Sequence, residues 1–164
     1  MLLVPDEVRA RLRAERNGAS LADMRGILIG AGLRPTRQRL ALCGLLFCGA
    51  RRHVTADDLH QDAICGGFSL SLATVYNTLN QFAEVGLVRK ISISGERSYF
   101  DTEVGDHCHF HVEAEDRIID VPPSSVRFDC LPSPPEGYRI SKVDIVIRLE
   151  RIATAADTTF EAKG

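Results

Sequence analysis

Between Ser71 and Phe100 the hydrophobic pattern changes period at one glycine, and few folds accommodate that change. Leu72, Val75, Leu79 and Phe82 recur at i, i+3, i+7 and i+10, the spacing of one helix face. Ser71 stands where an N-cap belongs and Gly86 where a C-cap belongs. Beyond Gly86, residues 87–100 alternate and turn at Gly95, which is a β-hairpin signal. Upstream, Leu21 to Leu33 is apolar at 21, 24, 27, 28 and 31, close to a 3.6 period. Thr36 reads as the N-cap of a helix running to about Phe47, buried along Leu42, Leu45 and Leu46. Thr55 with Asp58 reads as a capping box opening a helix that stops at Gly66-Gly67. Three or four short helices followed by a two-stranded hairpin predict a winged helix-turn-helix, with the helix from Leu72 as its recognition helix.

From Asp101 the pattern turns to strands. His109 to Glu113 alternates, Ile118 to Val121 is an apolar run, and Tyr138 to Ile152 reads as the strongest strand, with Val143, Ile145, Ile147 and Leu149 on one face. Residues 122–137 hold five prolines and read as a loop around at most one short helix. The expected fold class is therefore α+β, a winged helix-turn-helix domain over 21–100 followed by a small α/β unit over 106–152. Residues 1–20 read as an extension and 153–164 as a frayed tail. About 50 residues are too few to build much of a core, so the second unit is expected to pair with a copy of itself.

No run approaches the ~18 apolar residues of a membrane span. Residues 1–20 interleave acids and arginines and lack a signal peptide's apolar core, so a cytoplasmic location without membrane attachment is expected. Five cysteines, at 43, 48, 65, 108 and 130, include no C-x-x-C pair, which argues against a disulfide scaffold. Cys43, Cys48 and Cys65 read as small core hydrophobes. The net charge of −2 divides into +4 over residues 1–97 and −6 over 98–164. That division suits an anionic partner for the front half and a cation for the rear.

Two constellations carry chemistry. On the recognition helix, Ser71, Thr74, Tyr76 and Asn77 offer donors and acceptors able to reach base edges, on a face that is polar yet almost uncharged. Arg34, Arg37, Arg39, Arg51, Arg52, Arg89, Lys90 and Arg97 could position such a module on phosphates. The same face would also suit a protein–protein module. The second constellation is Asp106-His107-Cys108-His109-Phe110-His111, which on an extended chain turns three imidazoles to one side and Cys108 and Phe110 to the other. Asp101 and Asp120 lie close in sequence, and His53 sits in the helical half. An imidazole and carboxylate set favours Fe(II), Mn(II) or Zn(II) over soft-ligand metals. His60 reads as a surface residue. A hydrolase using such a site finds no positioned nucleophile here.

Gly32-Leu33-Arg34-Pro35-Thr36-Arg37-Gln38-Arg39, Arg52-His53-Val54-Thr55-Ala56-Asp57-Asp58-Leu59 and Leu72-Ala73-Thr74-Val75-Tyr76-Asn77-Thr78-Leu79 resemble segments of the ferric uptake regulator family. The resemblance runs from about residue 21 to 152. It implies a homodimeric, metal-responsive repressor of transcription that binds double-stranded operator DNA, with a hinge over 101–105 and a C-terminal dimerisation and metal-sensing domain. Carried residue by residue, it implies a regulatory metal site of His53, Asp101, His107, His109 and Asp120, filled by Fe(II) or Mn(II), or by Zn(II) in vitro. Beside it stand the DNA contacts expected from the residues themselves, Arg34, Arg37, Ser71, Thr74, Tyr76 and Asn77. Three departures stand out. The first C-x-x-C pair of the family's structural zinc site would fall at Val112 and Glu115, so that four-cysteine zinc is expected to be absent. A second metal site in the dimer domain is replaced by Asp106, Cys108, Arg127 and Val143. Asn77 stands where an arginine commonly follows the recognition tyrosine. A zinc-less member with an H-x-H-x-H run resembles the iron response regulator branch, in which haem could bind through His107, Cys108, His109 or His111. That branch's Cys-Pro haem motif is not matched by Cys130-Leu131-Pro132. The alternatives within the family are a peroxide sensor or a manganese- or iron-sensing repressor.

Overall fold

The computed structural model of the chain describes residues 21–93, 97–127 and 129–152. The expected extension over 1–20, the turn at Gly95 and the tail from Ala153 lie outside the described residues. The chain divides into two compact units between Gly105 and Asp106.

The first unit is a winged helix-turn-helix. Its order is α1 (Leu21–Gly30), α2 (Arg37–Phe47), β1 (His53–Val54), α3 (Ala56–Cys65), α4 (Leu72–Glu84), β2 (Arg89–Ser92) and β3 (Ser98–Asp101). Three of these helices start where the sequence supplies a cap. The Thr36 hydroxyl accepts the Arg39 N–H, and the Ser71 hydroxyl accepts that of Thr74. Thr55 and Asp58 form a reciprocal capping box, with Thr55 N–H donating to the Asp58 carboxylate at 2.8 Å and Asp58 N–H to the Thr55 hydroxyl at 3.1 Å. Each satisfies a backbone donor that a bare helix end would leave to water. At the far end of α4, Gly86 takes φ +77°, which lets the Leu87 N–H fold back onto the Phe82 carbonyl at 2.8 Å. The chain then leaves the helix directly into β2.

Met24, Ile27, Leu28, Leu42, Cys43, Leu46, Val54, Leu59, Val75, Leu79, Phe82 and Phe100 are buried together as the core of this unit. Burial of each large side chain is worth roughly 1.5–3 kcal/mol. The buried face of α4 differs from the expected one by a small rotation. Thr78 is buried at 6% exposure, whereas Leu72 is 41% exposed at the first helical position, ahead of the core. Leu45 is only half-buried on α2, where Cys43 is buried in full.

The wing has three strands where a two-stranded hairpin was expected. They run in the order β1-β3-β2, all antiparallel, with His53 opposite Asp101 and Arg89 also opposite Asp101. His53 therefore lies on a strand between helices. His60 departs from its surface reading as well: it is half-buried on α3, with Nε2 2.9 Å from the Leu70 carbonyl oxygen.

The second unit contains β4 (Cys108–Val112), β5 (Arg117–Val121) and β6 (Val146–Leu149) in the order β5-β4-β6. β4 pairs antiparallel with β5 across the 3-10 turn Glu113–Glu115, and parallel with β6, which follows β5 after a long connection that holds the prolines and the 3-10 turn Pro123–Ser125. The strand expected over 138–152 shrinks to four residues, because only 146–149 find ladder partners on β4. Val143 and Ile147 are 43% and 36% exposed.

No disulfide joins the five cysteines. Cys43 is buried, but Cys48 and Cys65 are exposed, contrary to their core reading: Cys48 caps the end of α2 and Cys65 closes α3, where the chain leaves the core. Burial pushes the Cys43 thiol up to about 12, and nearby Cys48 adds to the effect. A thiol alkylating agent at about pH 8 should therefore label Cys48, Cys65 and Cys130 well before Cys43 in the folded protein. Peptide mass mapping over time checks this, and early label on Cys43 would contradict its burial.

Candidate functional site

The exposed face of α4 is set by its buried one. With Val75, Thr78, Leu79 and Phe82 turned inward, Tyr76 and Asn77 turn outward, and Tyr76 is 44% exposed. Ser71 and Thr74 are engaged with each other, hydroxyl to hydroxyl at 2.9 Å, at the start of the helix. A polar recess of about 270 Å³ lies beside them, lined by Thr36, Gln38, Arg39, Thr74, Asn77, Thr78 and Gln81. The N-terminus of α2 and the middle of α4 thus present amides and hydroxyls on one continuous surface, which is the chemistry base-edge readout uses.

The cations expected to meet phosphates separate into two groups. Arg34, Arg37 and Arg97 are exposed. The others are drawn into the unit itself. Arg39 donates to the Arg34 carbonyl and to Gln81 Oε1, both at 2.9 Å. Arg51 pairs with Glu103 at 2.7 Å and Arg52 with Asp62 at 2.6 Å. Arg89 is buried at 7% exposure and donates to the Gly105 carbonyl at 3.1 Å. Lys90 donates to Asn80 Oδ1 at 2.9 Å. Charge sign is legible in a sequence, but the partner a charge chooses depends on which elements meet.

Candidate metal donors occur in each unit, and strand register sets His53 with Asp101 and His109 with Asp120. In the first unit, His53 and Asp101 are cross-strand neighbours on β1 and β3, so their side chains share a face, with His53 Nε2 3.7 Å from Asp101 Oδ2. Asp101 is 1% exposed, and its other oxygen accepts the Glu103 N–H at 2.7 Å. That bond orients the carboxylate toward the histidine. Glu103, itself 8% exposed, carried no sequence signal as part of this surrounding.

In the second unit, His109 on β4 stands opposite Asp120 on β5. His107 Nε2 is 3.2 Å and His109 Nε2 3.7 Å from Asp120 Oδ1, and the two imidazole rings meet edge-on at 4.4 Å. One ligand atom from each of His107, His109 and Asp120 lies within 4.8 Å of the others, a spacing that an ion between them would require. His111 belongs to a different pairing, with Nε2 4.0 Å from Asp116 Oδ1 at the β4–β5 turn. Cys108 is buried on β4, one residue out of phase with His109, and so lies on the opposite side of the pleat. Two imidazoles with a carboxylate, and an imidazole with a carboxylate, suit Fe(II), Mn(II) or Zn(II).

Among the described residues, no helix is long and apolar enough to cross a membrane. A family model described as the ferric uptake regulator family matches residues 30–129. The chain is 37% identical over 92 residues to a ferric uptake regulation protein of Yersinia pestis, covering 56% of this chain and 62% of that one. It is 35% identical over 91 residues to a peroxide-responsive repressor of Staphylococcus aureus, covering 55% of this chain and 60% of that one. The chain thus spans about three fifths of the length of these curated relatives. Among solved structures, the ferric uptake regulator of Pseudomonas aeruginosa with manganese matches with a TM-score of 0.61 at 24% identity, over 78% of this chain and 97% of that one. The ferric uptake regulator of Vibrio cholerae matches with a TM-score of 0.60 at 22% identity, over 77% and 98%. These two likenesses concern the fold.

Proposed function

Because the chain belongs to the ferric uptake regulator family, we propose that it is a metal-responsive DNA-binding regulator of iron homeostasis, most like the iron response regulator branch. Members of that family are regulators of transcription and not enzymes. In this reading, residues 21–100 bind operator DNA, 101–105 are a hinge, and 106–152 sense metal and dimerise. The protein works in the cytoplasm as a homodimer. Exposed Ile147 on edge strand β6, with exposed Val143 just ahead of it, supports a second copy as the partner of that unit.

In this reading His53, Asp101, His107, His109 and Asp120 would hold one divalent ion, Fe(II) or Mn(II). The observation that carries this reading is the donor chemistry. The first unit contributes an imidazole and a carboxylate, the second two imidazoles and a carboxylate, and both sets suit the same borderline metals. Each set is too small to fill a coordination shell alone. When bound, the ion would supply a strong link among all five donors, and with it a preference for one arrangement of hinge and wing. His53 and Asp101 hold the wing's share by strand register, while His107, His109 and Asp120 hold the other. The imidazoles must be deprotonated to serve, so affinity rises with pH.

DNA is read by Tyr76 and Asn77 with Ser71 and Thr74 beside them, and held by Arg34 and Arg37. Tyr76→Ala should cost about 1–3 kcal/mol on a cognate duplex and little on random DNA. Arg34→Ala should chiefly flatten the salt dependence. Equal loss of both duplexes in Tyr76→Ala would remove Tyr76 from the specificity contacts. Haem, the effector suggested by the H-x-H-x-H run, would use His107, His109 or His111; Cys108, across the pleat, could join only from the other side. The structural cysteine zinc is absent in this reading.

The test is titration of the metal-free protein with Fe(II), Mn(II), Zn(II) and haem while following operator binding. A response to iron, manganese or haem supports the reading, and indifference to all four overturns it. Brief peroxide treatment of the Fe(II) form separates the peroxide-sensing alternative, which predicts an oxygen added to a ligand histidine and loss of DNA binding.

A further inference from the structure

Lys90 is one of the cations that a sequence assigns to phosphate, yet the structure gives its ammonium three neighbours inside the first unit. It donates to Asn80 Oδ1 at 2.9 Å. It lies 5.5 Å from the centroid of the Tyr76 ring and 5.8 Å from that of Phe100. Both ring distances fall within the reach of a cation–π attraction. Asn80 in turn donates from Nδ2 to the Tyr76 carbonyl at 3.0 Å, one helical turn back. A closed circuit results: the β2 lysine grips an asparagine that is bonded to the backbone of Tyr76, and the same lysine covers the ring of Tyr76.

The lysine's place follows from strand register. It sits on the central part of β2, directly opposite Phe100 of β3, whose ring is fully buried. Its stem is thereby held against the wing while its head faces α4. On the opposite flank, Arg39 of α2 donates to Gln81, the next residue along α4. Two cations from two elements therefore hold adjacent side chains of one helix, and only Lys90 also touches the exposed aromatic. Tyr76 is 44% exposed, so without a neighbour its ring would be free to sample several rotamers.

On the reading that α4 meets DNA, we propose that Lys90 is a positioning residue for sequence recognition, fixing the Tyr76 ring through its ammonium instead of neutralising a phosphate. Specificity then depends on a wing residue that need not touch the duplex. Affinity for random DNA, which depends on phosphate contacts, owes it little.

The experiment uses the full chain with Mn(II), a duplex enriched by the unaltered protein from a random-sequence pool, and an unselected duplex. Lys90→Met keeps the apolar stem and removes the charge. It should weaken the enriched duplex about ten-fold and the unselected one less than about two-fold, with the salt slope unchanged. Lys90→Arg, which can keep both the donor and the cation over the ring, should recover most of the loss. Comparable loss on both duplexes, with a salt slope lower by about one, would make Lys90 a phosphate contact and overturn the proposal. A readout without DNA keeps this separate from the regulator reading: the Tyr76 ring resonances of the labelled protein should move in Lys90→Met, while the thermal midpoint stays near that of the unaltered chain. Unmoved Tyr76 resonances overturn the positioning role whatever the DNA data show. If the resonances move but no duplex is ever enriched, the failure lies with the regulator reading and not with the circuit.

Discussion

Exchanging His107 and His109 together for alanine is expected to abolish high-affinity Mn(II) binding, with an apparent Kd weaker by roughly 10³-fold or more. Loss of a partner that merely orients a ligand already costs about 10- to 100-fold, and here two ligands go at once. Of the three donors that converge in the second unit, Asp120 alone would remain. Its side chain is 42% exposed, so water competes for it far better than for the imidazoles, which are 8% and 2% exposed. His53→Ala makes the informative contrast. It leaves His107, His109 and Asp120 intact, so metal should still bind weakly while ceasing to change DNA affinity. Calorimetric titration reads the first effect, and operator binding with and without Mn(II) reads the second. Undiminished affinity in the double variant would move the ion elsewhere. A His53→Ala protein whose DNA binding still follows metal would remove the shared site.

Phe82→Ala should destabilise the first unit by about 3–5 kcal/mol, the range for removing a fully buried phenylalanine ring. Phe82 has no exposed surface and lies on the inner face of α4, behind the residues that face outward. Its carbonyl also anchors the turn into β2, accepting from Leu87 at 2.8 Å. The backbone bond survives the substitution, so the loss is one of packing, together with whatever cavity the ring leaves. Denaturant unfolding followed by a probe in the first unit measures it, and a change below about 1 kcal/mol would mean that neighbouring side chains collapse into the space.

The parts of the fold that were legible in the sequence are those decided within a few residues. Thr36, Thr55 and Ser71 each satisfy an amide three residues on, so the helix starts could be read directly. Glycine at 86 announced its own positive φ. Strand β1 escaped notice because two residues have no period, and its existence depends on β3, far along the chain. The strand over 138–152 was overextended for the converse reason: alternation proposes a strand, but only a partner's open edge decides its length. Residues of the candidate metal sets could be named from resemblance to a family, whereas the pairing of His53 with Asp101 and of His109 with Asp120 rests on cross-strand register, which hydropathy does not encode. The engagement of Arg39, Arg51, Arg52, Arg89 and Lys90 within the first unit was invisible for the same reason.

Strand β4 keeps two kinds of chemistry apart by the geometry of its pleat, with His109 and His111 on one side and Cys108, Phe110 and Val112 on the other. Mutational drift can therefore act on the two sides separately. On the proposed metal reading, exchanging His109 for aspartate would alter which ion is preferred while leaving Cys108, Phe110 and Val112 on their own side. Conversely, an aliphatic swap at Val112 would leave the donors where they are.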